Sequence, residues 1–172
     1  MIGVQAALDD PRLAPGLVVA VSVGALAAAF ATQYWGGLGP CVLCIYQRYA
    51  YGVAIVFGLA GVAVGGLPAA RRIALALAGL TFLAGAAIAF FHVGVEQHWW
   101  RGTAGCHAPS FDPNISLEDI RKQLLETRFA PCDQIPWSLF GVSMAGYNAL
   151  FSLGLAAAAL WAAWRTGGRR RA

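Results

Sequence analysis

The sequence predicts an all-α membrane protein that forms a single domain: a bundle of four transmembrane helices with a long exported loop that bears a short amphipathic helix. Hydrophobic residues make up 59% of its 172 residues, charged residues only 12%, and the mean hydropathy is +0.62. These values are typical of integral membrane proteins. Four apolar stretches each approach the roughly 20 residues needed to cross a bilayer. They cover residues 14–33, 44–66, 73–95 and 141–164.

The first apolar stretch, 14–33, is predicted to be a permanent span rather than a cleaved signal peptide. Asp9 and Asp10 precede it, and Arg12 is the only base before it, whereas a signal peptide begins with a basic segment. Its apolar run also exceeds the roughly 7–15 residues of a signal-peptide core. We therefore count it as the first helix of the bundle.

Charged residues between and after the spans predict the orientation. Arg71 and Arg72 are assigned to the short loop between the second and third stretches, and four more arginines crowd the C-terminus. The loop 34–43 has no charge, and the loop 96–140 has four bases against six acids. Because basic segments stay in the cytoplasm, both termini are expected there and both of these loops outside. The same placement explains the net charge of +4, so no nucleic acid partner is expected.

The exported loop 96–140 contains a predicted helix near its middle. Ser116 is expected to be its N-cap, with Asp119 at the position that Glu or Gln prefers in a capping box. Apolar and basic side chains then separate onto opposite faces over residues 117–129. This pattern indicates a short amphipathic helix on the membrane surface. A helix that covers the bundle without touching lipid is an equal alternative.

All four cysteines fall on the exported side, where disulfides persist. Cys41 and Cys44 form a C-x-x-C pair, a motif that can cycle between dithiol and disulfide. Three connectivities are possible among four cysteines, and local pairing of Cys41 with Cys44 leaves Cys106 to pair with Cys132. Two purely structural disulfides are the alternative. A C-x-x-C bridge closes so small a loop that it constrains the unfolded chain little, which favours a chemical role.

Arg48 lies inside the second apolar stretch, four residues after Cys44. It is therefore one helical turn deeper on the same face, about 6 Å along the axis. An ionisable residue within a span is a functional candidate, and snorkelling to the headgroups is the alternative. The helix N-terminus and the guanidinium would both stabilise a thiolate at Cys44. The guanidinium could also bind a quinone oxygen, so we predict electron transfer to a membrane-soluble acceptor.

Metal and haem sites explain the pattern less well. Zinc could use the C-x-x-C pair with Cys106 and His107, but the second cysteine pair is separated by 26 positions and the compartment is oxidising. Covalent haem attachment needs a histidine where this chain has Ile45. A b-type haem needs paired histidines on facing spans, and only His92 lies clearly within one. We expect no metal, and we treat His92 as a candidate cofactor-binding residue or a satisfied interior histidine.

The stretch Pro-Cys-Val-Leu-Cys-Ile-Tyr-Gln-Arg at residues 40–48 resembles the signature of the DsbB family of disulfide bond formation proteins. The similarity extends to the four spans and to a cysteine pair in a long second exported loop. It also includes Trp-Ser-Leu-Phe-Gly-Val-Ser-Met-Ala at 137–145, similar to the segment that leads into the fourth span of the family. Gln47 is Glu in some members, a difference that bears on local pH dependence rather than on the class.

The resemblance implies a protein dithiol:quinone oxidoreductase of the bacterial inner membrane that reoxidises a DsbA-like periplasmic thiol oxidase with a thioredoxin fold. Cys106 and Cys132 match the pair that exchanges with this partner, with Cys106 meeting the partner's thiolate. Cys41 and Cys44 match the quinone-coupled pair, with Cys44 facing the quinone and Arg48 beside it. The expected cofactor is ubiquinone or menaquinone, and the expected partners are the thiol oxidase, membrane lipid and the quinone.

Two other classes share some of these features. The vitamin K epoxide reductase family also combines a small helical bundle with C-x-x-C and loop cysteines, but there the loop pair precedes the C-x-x-C, which is the reverse of the order found here. A non-enzymatic four-span scaffold with structural disulfides would explain the long exported loop. It would not explain a C-x-x-C pair followed by Arg48.

Overall fold

A computed structural model describes residues 10–106, 116, 118 and 130–168. Four helices dominate the described residues, and each is long and apolar enough to cross a membrane. They are α1 Leu13–Tyr34, α2 Val42–Ala63, α3 Pro68–Glu96 and α4 Met144–Gly168. A short 3-10 helix, Ala104–Cys106, follows α3, and two short strands, β1 Ser138–Leu139 and β2 Val142–Ser143, precede α4. The predicted all-α four-helix membrane bundle is confirmed.

Helix α3 is the centre of the bundle: it packs against α2 on one side and α4 on the other, while α1 packs mainly against α2. The core is built from small and aromatic side chains, which let helices approach closely without a polar contact. Its buried members are Val18, Tyr51, Ala54, Leu75, Ala78, Phe82, Ala156, Ala159 and Ala163. Large apolar side chains on the outer faces stay exposed, as lipid contact requires. One from each helix is Leu17, Val56, Leu80 and Leu150.

Helix α3 begins earlier than its apolar stretch. The sequence places its start at residue 73 and assigns Arg71 and Arg72 to the preceding loop, but both arginines lie in the first turns of the helix. The reason is Pro68, which occupies the first turn, where its fixed φ and missing N–H favour helix initiation. Arg71 donates a hydrogen bond back to the Gly65 carbonyl at 2.8 Å. The two charges therefore remain at the end of the bundle opposite the cysteines.

Helix α4 begins at Met144, three residues later than the apolar stretch predicts. A two-residue hairpin between β1 and β2 precedes it. Phe140 and Gly141 form the turn with φ of 50° and 78°, the left-handed conformation that two-residue hairpins require. The segment before the span is therefore a turn rather than helix.

The predicted amphipathic helix over residues 117–129, with its Ser116 cap and Asp119 partner, lies outside the described residues apart from Ser116 and Glu118. It stays a prediction. The disulfide predicted around this segment falls within the described residues and is present: Cys106 and Cys132 are bonded, with their Cα atoms 4.8 Å apart.

Close packing of α3 on α4 makes Gly79 sensitive to substitution. A Cβ at this position would come within 2.7 Å of Leu160 Cγ, whereas a Cβ at Gly154 meets nothing within 4 Å. Both changes to alanine gain the same helix propensity, so their difference measures the clash. We expect Gly79→Ala to be less stable than Gly154→Ala by about 1–3 kcal/mol, measured by unfolding in detergent. Equal stabilities would contradict this packing.

Candidate active site

Cys41 and Cys44 lie at the N-terminus of α2, as the C-x-x-C spacing predicts. Cys41 is the N-cap residue: its backbone is extended, and its sulfur accepts a hydrogen bond from the Cys44 N–H at 3.2 Å. The two sulfur atoms are 2.7 Å apart and are not bonded to each other. A small movement would therefore close a disulfide. The hydrogen bond to Cys44, together with burial, raises the pKa of the Cys41 thiol.

The loop disulfide lies directly against this pair. The Ala130 N–H donates to the Pro40 carbonyl at 3.2 Å, and Ala130 and Cys41 form an isolated parallel bridge. Two residues further on, the Cys132 N–H donates to the Cys106 carbonyl at 3.0 Å. The result is one buried apolar cluster that includes both cysteine pairs. Its buried members are Cys41, Leu43, Val95, Cys106 and Cys132, with Cys44 packed against them.

His92, buried on α3, contacts the C-x-x-C pair. Its Nε2 lies 3.5 Å from Cys41 Sγ, and its Nδ1 lies 3.1 Å from Gln47 Nε2. Both ring nitrogens therefore have partners within the chain, and the partner of Nε2 is a reactive sulfur. The prediction that His92 binds the cofactor stays a prediction, and its observed contact is with Cys41.

A chain of amides and hydroxyls continues from His92 into the bundle. Asn148 Nδ2 donates to Gln47 Oε1 at 2.5 Å. The Tyr51 hydroxyl donates to Asn148 Oδ1 at 2.6 Å, and the Ser152 hydroxyl also approaches this oxygen, at 3.4 Å. These residues come from α2 and α4 and meet beside α3. Polar groups within a span need such partners because lipid offers none.

Glu96 is a second polar group, which the sequence assigns to the start of the exported loop at about residue 96. It is the last residue of α3 and is only 5% exposed. Ser143 donates a hydrogen bond to Glu96 Oε2 and itself accepts the Gly146 N–H at 3.1 Å. Glu96 Oε1 lies 3.9 Å from His92 Nε2, beyond hydrogen-bond distance. The hairpin before α4 places Ser143 here, and the apolar pattern alone does not predict this.

Arg48 lies one turn from Cys44, as predicted, but its guanidinium faces α1. It donates to Gln33 Oε1 at 2.5 Å and to the Ala29 carbonyl at 3.2 Å. It also lies over the Phe30 ring, 4.9 Å from the centroid. The side chain is half-buried. These contacts fix its direction along α1, which a side chain that only snorkels to the headgroups does not require.

Two kinds of ligand can be tested against these side chains. The sulfurs of Cys41 and Cys44 and a nitrogen of His92 lie within 4.8 Å of one another, but the 2.7 Å between the sulfurs is shorter than tetrahedral zinc geometry gives for Zn–S bonds of about 2.3 Å. The pair thus has the geometry for disulfide chemistry rather than for a metal. A quinone carbonyl needs a hydrogen-bond donor beside Cys44, and Arg48 supplies a guanidinium with five N–H donors.

A cavity of about 300 Å³ lies on the outer side of the cysteine cluster, and Cys106 is one of its lining residues. Polar and aromatic side chains form its wall, and Cys132 is not among them. The lining includes His98, Trp99, Trp100, Arg101, Cys106 and Asp133. Cys106 is thus the sulfur of the loop disulfide that borders a cavity, although its own exposure is only 2%.

The structure brings five of the six predicted site residues together and turns the sixth, Arg48, toward α1. Sequence reasoning missed Glu96, Ser143 and Asn148 as parts of the site. Two signals were available: Glu96 follows His92 by four residues, which places both on one helical face, and Asn148 is an amide inside an apolar span, where polar groups mark function. Ser143 had no such signal, because its position depends on the hairpin.

Comparison with known proteins identifies the family to which the chain is similar. Residues 11–162 match the family described as disulfide bond formation protein DsbB. A protein named disulfide bond formation protein B from Xanthomonas axonopodis pv. citri is 34% identical over 147 residues, covering 83% of this chain and 84% of the relative. Proteins of the same name from Stutzerimonas stutzeri and Azoarcus sp. are each 30% identical, covering 79% and 89% of this chain and 84% and 90% of their own lengths.

The match covers most of the chain, including the C-x-x-C helix and both loop cysteines. Disulfide oxidoreductase chemistry and a multi-pass membrane location follow from it together with the four apolar helices. On this evidence the chain belongs to the DsbB family of disulfide bond formation proteins.

Proposed function

We propose that this protein is a dithiol:quinone oxidoreductase that reoxidises a DsbA-like periplasmic thiol oxidase. The observation that carries the proposal is the contact between the two cysteine pairs in one buried cluster at the mouth of the bundle. One pair is in a loop outside the spans and the other at the start of a span. Electrons can therefore pass by short thiol–disulfide exchanges from an aqueous partner to the membrane.

The exchange with the partner begins at Cys106. A partner thiolate attacks Cys106 Sγ, the Cys106–Cys132 bond breaks, and Cys132 leaves as a thiolate. The second partner thiolate then attacks the partner's own sulfur in this mixed disulfide, releasing an oxidised partner and a reduced loop pair. The cavity beside Cys106 supports this order, because Cys106 lines it and Cys132 does not. Since Cys106 is only 2% exposed, the partner must displace part of the cavity wall.

The loop pair then reduces the membrane pair. The Cys132 thiolate attacks Cys41 Sγ in the oxidised C-x-x-C pair, and Cys44 leaves as a thiolate. The Cys106 thiolate next attacks Cys132 Sγ, which restores the loop disulfide and releases Cys41. Two electrons have moved, and each disulfide broken is replaced by another. Cluster packing of Cys41 with Cys106 and Cys132 supports this step.

We assign quinone binding to Arg48. A bound quinone would accept two electrons and two protons and become a quinol. The Arg48 guanidinium, fixed by Gln33 and Ala29, retains further N–H donors for a carbonyl oxygen. Arg48 lies one turn from Cys44 on α2, with its guanidinium directed toward α1. Ubiquinone and menaquinone both carry such an oxygen.

The orientation is also a proposal. Arg71, Arg72 and Arg165 lie at the ends of the spans opposite the cysteines. Positive charge stays in the cytoplasm, which places both termini inside and the cysteine end in the periplasm of an inner-membrane protein.

The activity can be tested without a protein partner. Purified protein in detergent is given a small dithiol and ubiquinone or menaquinone without oxygen, and loss of quinone absorbance is followed. We expect catalytic bleaching that requires the dithiol and the protein. A four-span scaffold with structural disulfides would bleach no more than a protein-free sample, and that result would contradict the proposal.

Substitution of Arg48 tests its assignment. Loss of one charge-assisted hydrogen bond costs on the order of 1.5–3 kcal/mol, or roughly a ten- to hundredfold loss of quinone affinity. Because lysine lacks the planar fork of arginine, we expect Arg48→Lys to raise the quinone KM clearly and Arg48→Ala to raise it more. Exchange at Cys106 should change little.

The matched control for this prediction is Arg165→Lys, which makes the same change at an exposed arginine over the Trp161 ring at the other end of the bundle. It should leave the quinone KM unaltered. If both Arg48 variants keep the wild-type KM at normal protein levels in the membrane, Arg48 does not bind the quinone.

A further inference from the structure

Gln47 is anchored by a backbone group that leaves one orientation for its amide. Gln47 Nε2 lies 3.2 Å from the Leu43 carbonyl oxygen, one turn earlier on α2. A backbone carbonyl only accepts hydrogen bonds, so the atom that faces it must be the amide nitrogen. The same nitrogen lies 3.1 Å from His92 Nδ1. Because the NH₂ group only donates, Nδ1 must be the unprotonated, accepting nitrogen of the ring.

The other end of the amide agrees with this orientation. Gln47 Oε1 accepts from Asn148 Nδ2 at 2.5 Å. That leaves Asn148 Oδ1 facing Tyr51 and Ser152, whose hydroxyls can donate to it. Had either amide been reversed, two donors or two acceptors would face each other. The hydrogen bonds therefore all run in one direction: each group donates to the next, from the hydroxyls through the two amides to the histidine.

A neutral imidazole whose Nδ1 accepts carries its proton on Nε2. His92 Nε2 lies 3.5 Å from Cys41 Sγ, so the sulfur is within hydrogen-bond reach of this N–H. Two other acceptors compete for it: Glu96 Oε1, which is 3.9 Å away while Ser143 bonds the other carboxylate oxygen, and the backbone of Cys132, which also interacts with the ring. Cys41 in turn lies 2.7 Å from Cys44 Sγ. Donors are thus aligned in series from Gln47 through His92 and Cys41 to Cys44.

We propose that Gln47 and Asn148 are positioning residues that fix His92 as its Nε2–H tautomer, and that His92 acts as a hydrogen-bond donor to Cys41 Sγ rather than as a base. The functional part rests on the proposed dithiol:quinone activity. When Cys41 leaves from the Cys41–Cys132 disulfide, the electron pair of the broken S–S bond stays on Cys41, and the Nε2–H stabilises this thiolate without transferring its proton. In the reduced pair the same donor polarises the Cys41 thiol toward Cys44.

The tautomer can be measured directly, without quinone or partner. Reduced full-length protein labelled with ¹⁵N-histidine is studied in nanodiscs by long-range ¹H–¹⁵N correlation, and the His92 signals are identified by their loss in His92→Asn. We expect wild-type His92 to be protonated at Nε2 alone. An ionised glutamate at position 47 only accepts, so Gln47→Glu, measured at a pH where this carboxylate is ionised, should move the proton to Nδ1. Gln97→Glu makes the same change at an exposed residue five positions from His92 and should leave the tautomer unchanged.

The functional consequence is measured with Gln47→Met, which removes the donor to Nδ1. We expect its kcat in dithiol-dependent quinone bleaching to fall on the order of tenfold, while the quinone KM stays within about twofold of wild type. A purely structural role would instead lower the amount of folded protein and leave its kcat intact.

Three results would overturn the inference: wild-type His92 protonated at Nδ1 or at both nitrogens, an Nε2–H tautomer that survives in Gln47→Glu, or an unchanged kcat in Gln47→Met. Failure of the proposed function is distinguishable, because then the wild type itself would not bleach quinone while the tautomer measurement would still give its answer.

Discussion

Replacing Cys44 with serine is expected to reduce steady quinone reduction to the protein-free rate. Cys44 is the more exposed sulfur of the C-x-x-C pair and lies one turn from Arg48. A hydroxyl at this position cannot form a disulfide with Cys41, so no two-electron carrier remains at the membrane. The Cys106–Cys132 disulfide is intact in this variant and should still oxidise one equivalent of a reduced thioredoxin-fold partner. Cys41→Ser should behave in the same way.

The control for this prediction separates the two cysteine pairs. A double variant, Cys106→Ser with Cys132→Ser, keeps the C-x-x-C pair and should still bleach quinone when a small dithiol supplies the electrons. It should fail with the protein partner. Steady turnover in Cys44→Ser with either reductant would contradict the assignment of the membrane pair.

Single substitutions in the loop disulfide are expected to give opposite results with the partner. In Cys132→Ser, Cys106 is a free thiol. It can attack the partner's cysteine when that sulfur is bonded to a small thiol, which leaves as a thiolate. No thiol at position 132 then remains to displace the partner. A mixed disulfide should therefore accumulate, while Cys106→Ser should form none. The measurement is non-reducing electrophoresis after mixing each variant with a partner whose second cysteine is replaced and whose remaining cysteine is activated as a mixed disulfide with thionitrobenzoate.

The cavity beside Cys106 is the structural reason to expect this asymmetry. Cys132 is completely buried, and its amide is bonded to the Cys106 carbonyl. Equal trapping by the two variants would mean that the partner reaches both sulfurs. The cavity would then not decide which sulfur of the loop disulfide the partner attacks.

The four spans follow from the sequence because lipid imposes a simple requirement. A helix that crosses a bilayer must be about 20 residues long and almost free of charge, and these properties are local. The ends of the helices depend on more specific chemistry. Pro68 starts α3 before its apolar residues begin, and the turn at Phe140 and Gly141 delays α4. Turn conformation and helix initiation are not visible in a hydropathy pattern.

The site was predictable in its cysteines and not in its polar surroundings. C-x-x-C spacing determines that Cys41 and Cys44 are close, whatever the rest of the fold. His92 contacts this pair, Asn148 bonds Gln47 and Glu96 lies near His92 only because α3 packs against both α2 and α4. Packing at small residues such as Gly79 decides which faces of these helices meet. Rotation of one helix by a single residue position would separate the polar groups.

The direction of Arg48 was undetermined for a related reason. Its spacing from Cys44 sets its position on α2, but a long side chain on that face can reach the headgroups, the sulfur or a neighbouring helix. The acceptors on α1, Gln33 and the Ala29 carbonyl, decide between them. These acceptors lie fifteen and nineteen residues away in sequence, beyond any local pattern.

The most direct test of electron transfer from the partner to the quinone is its stoichiometry. Purified protein is mixed without oxygen with an excess of quinone and a limited amount of reduced thioredoxin-fold partner, and both products are counted. Because each exchange moves two electrons, we expect one quinol for every disulfide formed in the partner, with both cysteine pairs of the enzyme oxidised at the end. Oxidation of the partner by no more than one equivalent per enzyme molecule, with no quinol formed, would contradict the account.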